Sequence, residues 1–139
     1  MSIPFTSSPR QEEVPFSYSL RPSEREKLRE ELKAMCDLQI IKKVTFVPGQ
    51  YISNIFTRPK PDGNVRVIFD LSHLNQETVE YKHFKMTSLK TALEMIRKGA
   101  WMGSVDLEKC YYSFSILKEH RKFLRFTWDN ILYVFCKFL

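Results

Sequence analysis

The sequence has few cysteines, no long apolar run and no proline after residue 61, and each shortage narrows what the chain can be. Cys36, Cys110 and Cys136 are an odd number, far apart, with no C-x-x-C pair. That excludes a disulfide framework and a zinc ribbon, and it points to a reducing compartment. No apolar stretch reaches the length of a membrane span, and no basic stretch followed by an apolar run opens the chain. An intracellular protein without a membrane partner is therefore the expectation. His73, His83 and His120 are scattered without ligand spacing, so a zinc site is not expected. There are no internal repeats and no low-complexity segment.

What is present suits one folded domain, or part of a larger one, in 139 residues. Hydrophobic residues make up 43%, enough for a core. The net charge of +6 favours an anionic partner, with nucleic acid first among them. Four of the seven prolines lie in residues 1–22, which reads as an extended or disordered leader. Ser23 and Glu26 have capping-box spacing. Leu28, Leu32, Met35 and Leu38 follow at helical spacing, predicting a helix over residues 24–38.

From Tyr51 to Arg58 the composition turns β-branched and aromatic, predicting a strand. Pro61-Asp62-Gly63 marks a turn, and Val65–Phe69 a second strand. Lys60 and Arg66 then flank the tip of a β-hairpin. Thr87 or Ser88 caps a predicted helix with Leu89, Ala92, Leu93 and Ile96 on one face, ended by Gly99. Trp101–Val105 is predicted as a short buried strand. Phe123–Trp128 and Ile131–Phe138 form two more strands around an Asp129-Asn130 turn. Lys118, Arg121, Lys122 and Arg125 make a basic run best read as solvated surface, and Trp101 and Trp128 read as core or strand-face residues. The class is α+β.

Two places carry candidate chemistry. Asp106 closes the Trp101–Val105 strand, where a carboxylate offers a hard oxygen ligand for Mg²⁺. An Asp in that position is more often a cap for the next turn. Lys60 and Arg66 are cations able to clamp a triphosphate, although charged decoration of an exposed β-turn is common.

In order and spacing, Ile52–Phe56, Lys60–Asn75, Gly103–Ser113, Phe123–Trp128 and Leu132–Phe135 resemble the reverse transcriptases of retroelements. The similarity runs over residues 15–136. The wording of Ile52–Phe56 and His83–Met86 is nearest to DIRS-type retrotransposons, then gypsy-type LTR elements. The resemblance implies the fingers and partial palm of a right-hand polymerase, incomplete, with residues 23–100 as the fingers part and 101–139 as the start of the palm. It implies template-directed transfer of a nucleotide from dNTP to a primer 3′-hydroxyl on an RNA or DNA template, with Mg²⁺ or Mn²⁺ as cofactor. Asp106 and the Leu107 carbonyl would hold metal. Lys60 and Arg66 would meet the phosphates, the backbone of Lys109 and Cys110 would cradle them, and Tyr111 would exclude the ribose 2′-hydroxyl.

Lys109, Cys110 and Ser72 depart from the residues usual in that family. No adjacent Asp-Asp pair occurs anywhere in the chain. The remaining carboxylates, the rest of the palm and an RNase H would come from the remainder of a polyprotein. Alone, the chain is expected to be inactive. The alternative is a non-catalytic nucleic-acid-binding module derived from a retroelement.

Overall fold

Pro22, whose fixed φ suits the first turn of a helix, opens α1 (Pro22–Asp37) in the computed structural model of the chain, which describes residues 1–15, 19–106 and 110–138. The cap differs from the one expected. The Arg21 N–H donates to the Glu24 carboxylate at 3.0 Å, and Glu26 pairs with Arg29 at 2.7 Å instead of reaching back to Ser23. With Pro22 at the first helical position, the cap moves two residues upstream. Leu28, Leu32 and Met35 are buried, whereas Leu38 lies past the helix end and is exposed.

α1 leads into β1 (Ile41–Lys43), a strand not anticipated from sequence. The hairpin β2 (Asn54–Pro59) and β3 (Val65–Asp70) follows, then a short helix α2 (Ser72–Thr78), also unanticipated, and α3 (Leu89–Met95). Two 3-10 segments, Cys110–Ser113 and Lys118–Phe123, precede β4 (Arg125–Trp128) and β5 (Ile131–Phe135). β1, β5 and β4 form one antiparallel sheet in that order, and β2 and β3 form a second. Asp129 and Asn130, with φ of 52° and 60°, make the turn between β4 and β5. Positive φ at both central residues is what a type I′ hairpin turn needs, and Asp and Asn tolerate it best after glycine.

The two sheets are joined through the lead-in to β2. Tyr51 N–H donates to the Lys122 carbonyl at 2.9 Å, and Ser53 N–H to the Arg125 carbonyl at 2.8 Å. Phe69 of the hairpin packs on Phe135 and Phe126, with ring centroids 4.7 and 5.9 Å away. α1 covers this seam with its buried leucines, giving one continuous core.

Residues 1–15 of the leader are fastened to the body. Thr6 N–H donates to the Thr78 carbonyl at 2.8 Å, and Glu80 N–H to the Pro4 carbonyl at 2.8 Å. The Gln11 amide accepts the Ile52 N–H and donates to the Ile52 carbonyl, each at 2.8 Å, as a strand partner would.

Three expectations fail beyond α2. Trp101–Val105 forms no strand: Trp101 is 100% and Val105 87% exposed. Neither a sheet edge nor an apolar surface among the described residues meets this segment, and a strand needs both a ladder partner and a covered face. Trp101 is accordingly not a core residue. α3 has Ser88 as its cap, with the Thr91 N–H donated to the Ser88 hydroxyl at 3.2 Å, but its apolar face buries nothing. It ends at Met95, before Gly99, because Ile96 takes an extended backbone. Gly99, at φ 82°, turns the chain further on.

Candidate nucleotide and nucleic-acid site

Alternation along the hairpin sorts its side chains into two faces. Ile55 and Val65 are buried, and Val67 and Phe69 pack against the core. By period two, Asn54, Phe56 and Arg58 share the opposite face with Arg66, Ile68 and Asp70. The register places Arg58 directly across from Arg66, Phe56 from Ile68 and Asn54 from Asp70. Both arginines are exposed. The Arg58 guanidinium lies 5.6 Å from the Phe56 ring centroid. Like charges directly opposite on a sheet cost stability. The outward face therefore holds two cations side by side over an apolar plate, an arrangement that an anion would relieve.

Arg58 was not singled out from sequence. Its signal was available: in a hairpin closing on the three residues Pro61-Asp62-Gly63, position 58 falls opposite position 66.

The tip is rigidly built. Lys60 N–H donates to the Asn64 carbonyl at 2.8 Å, and Gly63 adopts φ 79°. The Asp62 carboxylate accepts the Asn64 N–H at 3.0 Å and the Asn64 side-chain amide at 3.1 Å. These bonds, the backbone one foremost, hold its pKa below the ordinary value. The Lys27 ammonium of α1 donates to the Gly63 carbonyl, so the helix steadies the tip. Lys60 itself is partly buried.

At the other end of β3, the Asp70 carboxylate accepts the Ser72 N–H at 3.0 Å and so starts α2. Hydrogen bonding from the Ser72 side chain, then from its backbone, lowers the Asp70 pKa, with His73 adding a smaller attraction. A lowered carboxyl pKa gives stability that is present above the unfolded value and is lost as pH falls through the folded one. A carboxyl ¹³C titration should place Asp70 below the usual aspartate range of about 3.9. Asp70→Asn should remove that part of the acid dependence below about pH 4, and an Asp70 titrating at or above the usual value would contradict this account.

Asp106 is exposed, in a stretch without regular structure. Leu107 and Lys109 lie outside the described residues, as does the Tyr111 side chain. Cys110 starts a 3-10 turn and is partly buried. Among the described residues no three His, Cys, Asp or Glu side chains come together as a metal site. A single exposed carboxylate does not fit a Mg²⁺ pair, because Mg²⁺ needs near-ideal octahedral oxygens and dehydrates reluctantly. The clefts beside Trp128, Glu77, Gln39 and Phe46 are not lined by Lys60, Arg66 or Asp106.

The basic run divides. Arg125 is 7% exposed and donates to the Thr45 carbonyl at 2.9 Å and the Gln50 side-chain oxygen at 2.7 Å, so it is not part of a solvated face. The Arg121 Nε–H is held by the Ile116 carbonyl at 2.9 Å. Among the described residues, no helix is long and apolar enough to cross a membrane.

No family model matches the sequence, and no curated protein does. Solved structures do match in fold. The foamy viral protease-reverse transcriptase in complex with dsDNA superposes with a TM-score of 0.81 at 17% identity, covering 100% of this chain and 28% of that one. The native Prototype Foamy Virus protease-reverse transcriptase gives 0.75 at 17% identity, over 96% of this chain and 17% of that one. The foamy viral enzyme in complex with RNA/DNA hybrid gives 0.72 at 19% identity, over 97% and 17%. The chain thus has a reverse-transcriptase-like mixed α/β fold and spans about a quarter or less of the length of the proteins it resembles.

Proposed function

We propose that this chain is the fingers and the start of the palm of a retroelement reverse transcriptase, built to hold nucleic acid and an incoming dNTP. The observation that carries the reading is the match in fold over the whole chain, with the paired Arg58 and Arg66 on the open face of its hairpin. Guanidinium forks suit phosphate oxygens, and Lys60 adds a point charge at the tip. Asp106 and the Leu107 carbonyl are the proposed metal ligands, the Lys109–Cys110 backbone the phosphate cradle, and Tyr111 the group that rejects a 2′-hydroxyl. Within retroelements, the wording of Ile52–Phe56 and His83–Met86 favours a DIRS-type origin over a gypsy-type one.

The enzymes of this family use Mg²⁺ or Mn²⁺ to lower charge on the triphosphate and activate the primer hydroxyl. Two such ions need several convergent carboxylates, and this sequence supplies Asp106 without an Asp-Asp partner. Catalysis then requires carboxylates from the rest of a polyprotein. The exposed apolar residues of α3 and of 101–105 are the surface that a fuller palm would cover.

The alternative, a binding module without catalysis, is favoured by one observation. The arginine face is complete while the Asp106 segment is unformed. One experiment tests both the binding and the dependence on other carboxylates. The purified chain is titrated onto a primer–template duplex over a salt series, and the same mixture is given dNTP with Mg²⁺ or Mn²⁺. Binding should weaken with salt, and Arg58→Ala with Arg66→Ala should reduce the log–log salt slope by about 2 (roughly 0.9 per phosphate contact). No primer extension should occur. Binding that ignores salt and both arginines would refute the nucleic-acid reading. Robust extension abolished by Asp106→Asn would refute the dependence on other carboxylates.

A further inference from the structure

The leader crosses from one half of the fold to the other, and one of its anchors is an imidazole. Residues 4–6 are bonded to the end of α2 through Pro4, Phe5 and Thr6. Residues 1–3 are bonded to the segment before β4. Leu117 N–H donates to the Met1 carbonyl at 2.9 Å, and Ile3 N–H donates to His120 Nδ1 at 2.9 Å. Phe5 sits between, edge-on to His120 at 5.1 Å and to Phe123 at 5.2 Å. The strap therefore ties the end of α2 to the segment before β4, and an imidazole acts as acceptor at one of its anchors.

We propose that His120 is a pH-sensitive latch: the strap is docked while Nδ1 is unprotonated and releases when the imidazole takes up a proton. Nδ1 has one lone pair, and the Ile3 N–H and a proton compete for it. Once protonated, Nδ1–H faces Ile3 N–H, donor against donor, in a partly buried site. A charged ring near Phe5 gains some attraction from the aromatic face, too little to offset two opposed donors. The charged groups on the elements that meet it are Lys118, Glu119, Arg121 and Lys122 on its own 3-10 segment, the Met1 amino group on the strap, and Glu77, Glu80 and Lys82 in and after α2. Imidazole is the side-chain type that ordinarily changes charge within the physiological pH range. Docking should weaken as pH falls through that range.

The test is amide hydrogen exchange on the full chain at pH 7 and pH 5, with rates divided by the intrinsic rate at each pH. Ile3 and Thr6 report the strap, and Phe126 and Tyr133 report the core. In the native chain the protection of Ile3 and Thr6 should fall at least tenfold at pH 5 while the core amides keep theirs. His120→Asn, which presents an oxygen near the Nδ1 position that does not titrate, should hold strap protection equal at both pH values. His120→Phe should lose it at both while the core stays protected. Three outcomes overturn the latch: strap protection unchanged by pH in the native chain, the same pH dependence in His120→Asn, or strap and core losing protection together.

Discussion

Phe126→Ala should lower the stability of the chain by about 3–5 kcal/mol, a large part of the roughly 5–15 kcal/mol that holds a typical domain. Phe126 is 0% exposed and stands at the seam of the two sheets. It stacks on Tyr133 at 5.2 Å and meets Phe135 at 5.4 Å within its own sheet, and Phe69 of the hairpin at 5.9 Å. Truncation removes the transfer energy of the ring and leaves a cavity that two differently oriented sheets cannot close together. Urea denaturation followed by circular dichroism measures the change. Trp101→Ala is the matched control. Trp101 is the same kind of large aromatic but fully exposed, so its removal should stay within about 0.5 kcal/mol. A Phe126→Ala cost near that of Trp101→Ala would mean that the hairpin is not docked on the sheet.

The contrast between these two aromatics also marks what could be read from sequence. The hairpin β2–β3, the turn at Asp62-Gly63, the β4–β5 hairpin and the main helix were legible, because each is set by local chemistry: alternation, turn residues and an apolar stripe. β1 and α2 were not. β1 is three residues long and exists through its pairing with β5, Ile41 to Phe135, across most of the chain. α2 starts on a hydrogen bond from Ser72 to Asp70 within a stretch read as the tail of the hairpin. Trp101–Val105 failed in the opposite sense. Its composition is that of a buried strand, but composition says what a segment needs and not whether a partner is there to supply it. Lys60 and Arg66 could be singled out from sequence as the cations flanking the hairpin tip, Arg58 needed the strand register, and the position of Asp106 relative to them could not be read from local signals at all.

Arg125 was misread because its fate is decided by residues far away in sequence, and it yields the second large effect. Burial lowers its pKa, and Nη1 alone makes the bonds to Thr45 and Gln50, while Nε has no partner among the described residues. Arg125→Ala should cost about 3 kcal/mol, since it leaves a cavity where a side chain 7% exposed had packed and also removes the donor to Thr45 and Gln50. Arg125→Lys should recover little. A lysine ammonium brings the same charge into the same dry site, with a stronger hold on water and without the planar fork. Arg125→Met should be the mildest of the three, at about 1.5 kcal/mol or less, because it fills the space and removes the charge. Gln50 keeps the Val47 N–H, 3.2 Å from its side-chain oxygen. Urea midpoints of the three variants give the order directly. Should lysine match the native chain while methionine falls with alanine, the positive charge itself would be the stabilising element. The consequence for function follows from the backbone at the same residue. The Arg125 carbonyl receives the Ser53 N–H just before β2 begins. Loosening this joint lets the hairpin swing with its arginine face intact, so under the proposed function the variants should weaken duplex binding in the order in which they lose stability, even though none of them removes a residue from that face.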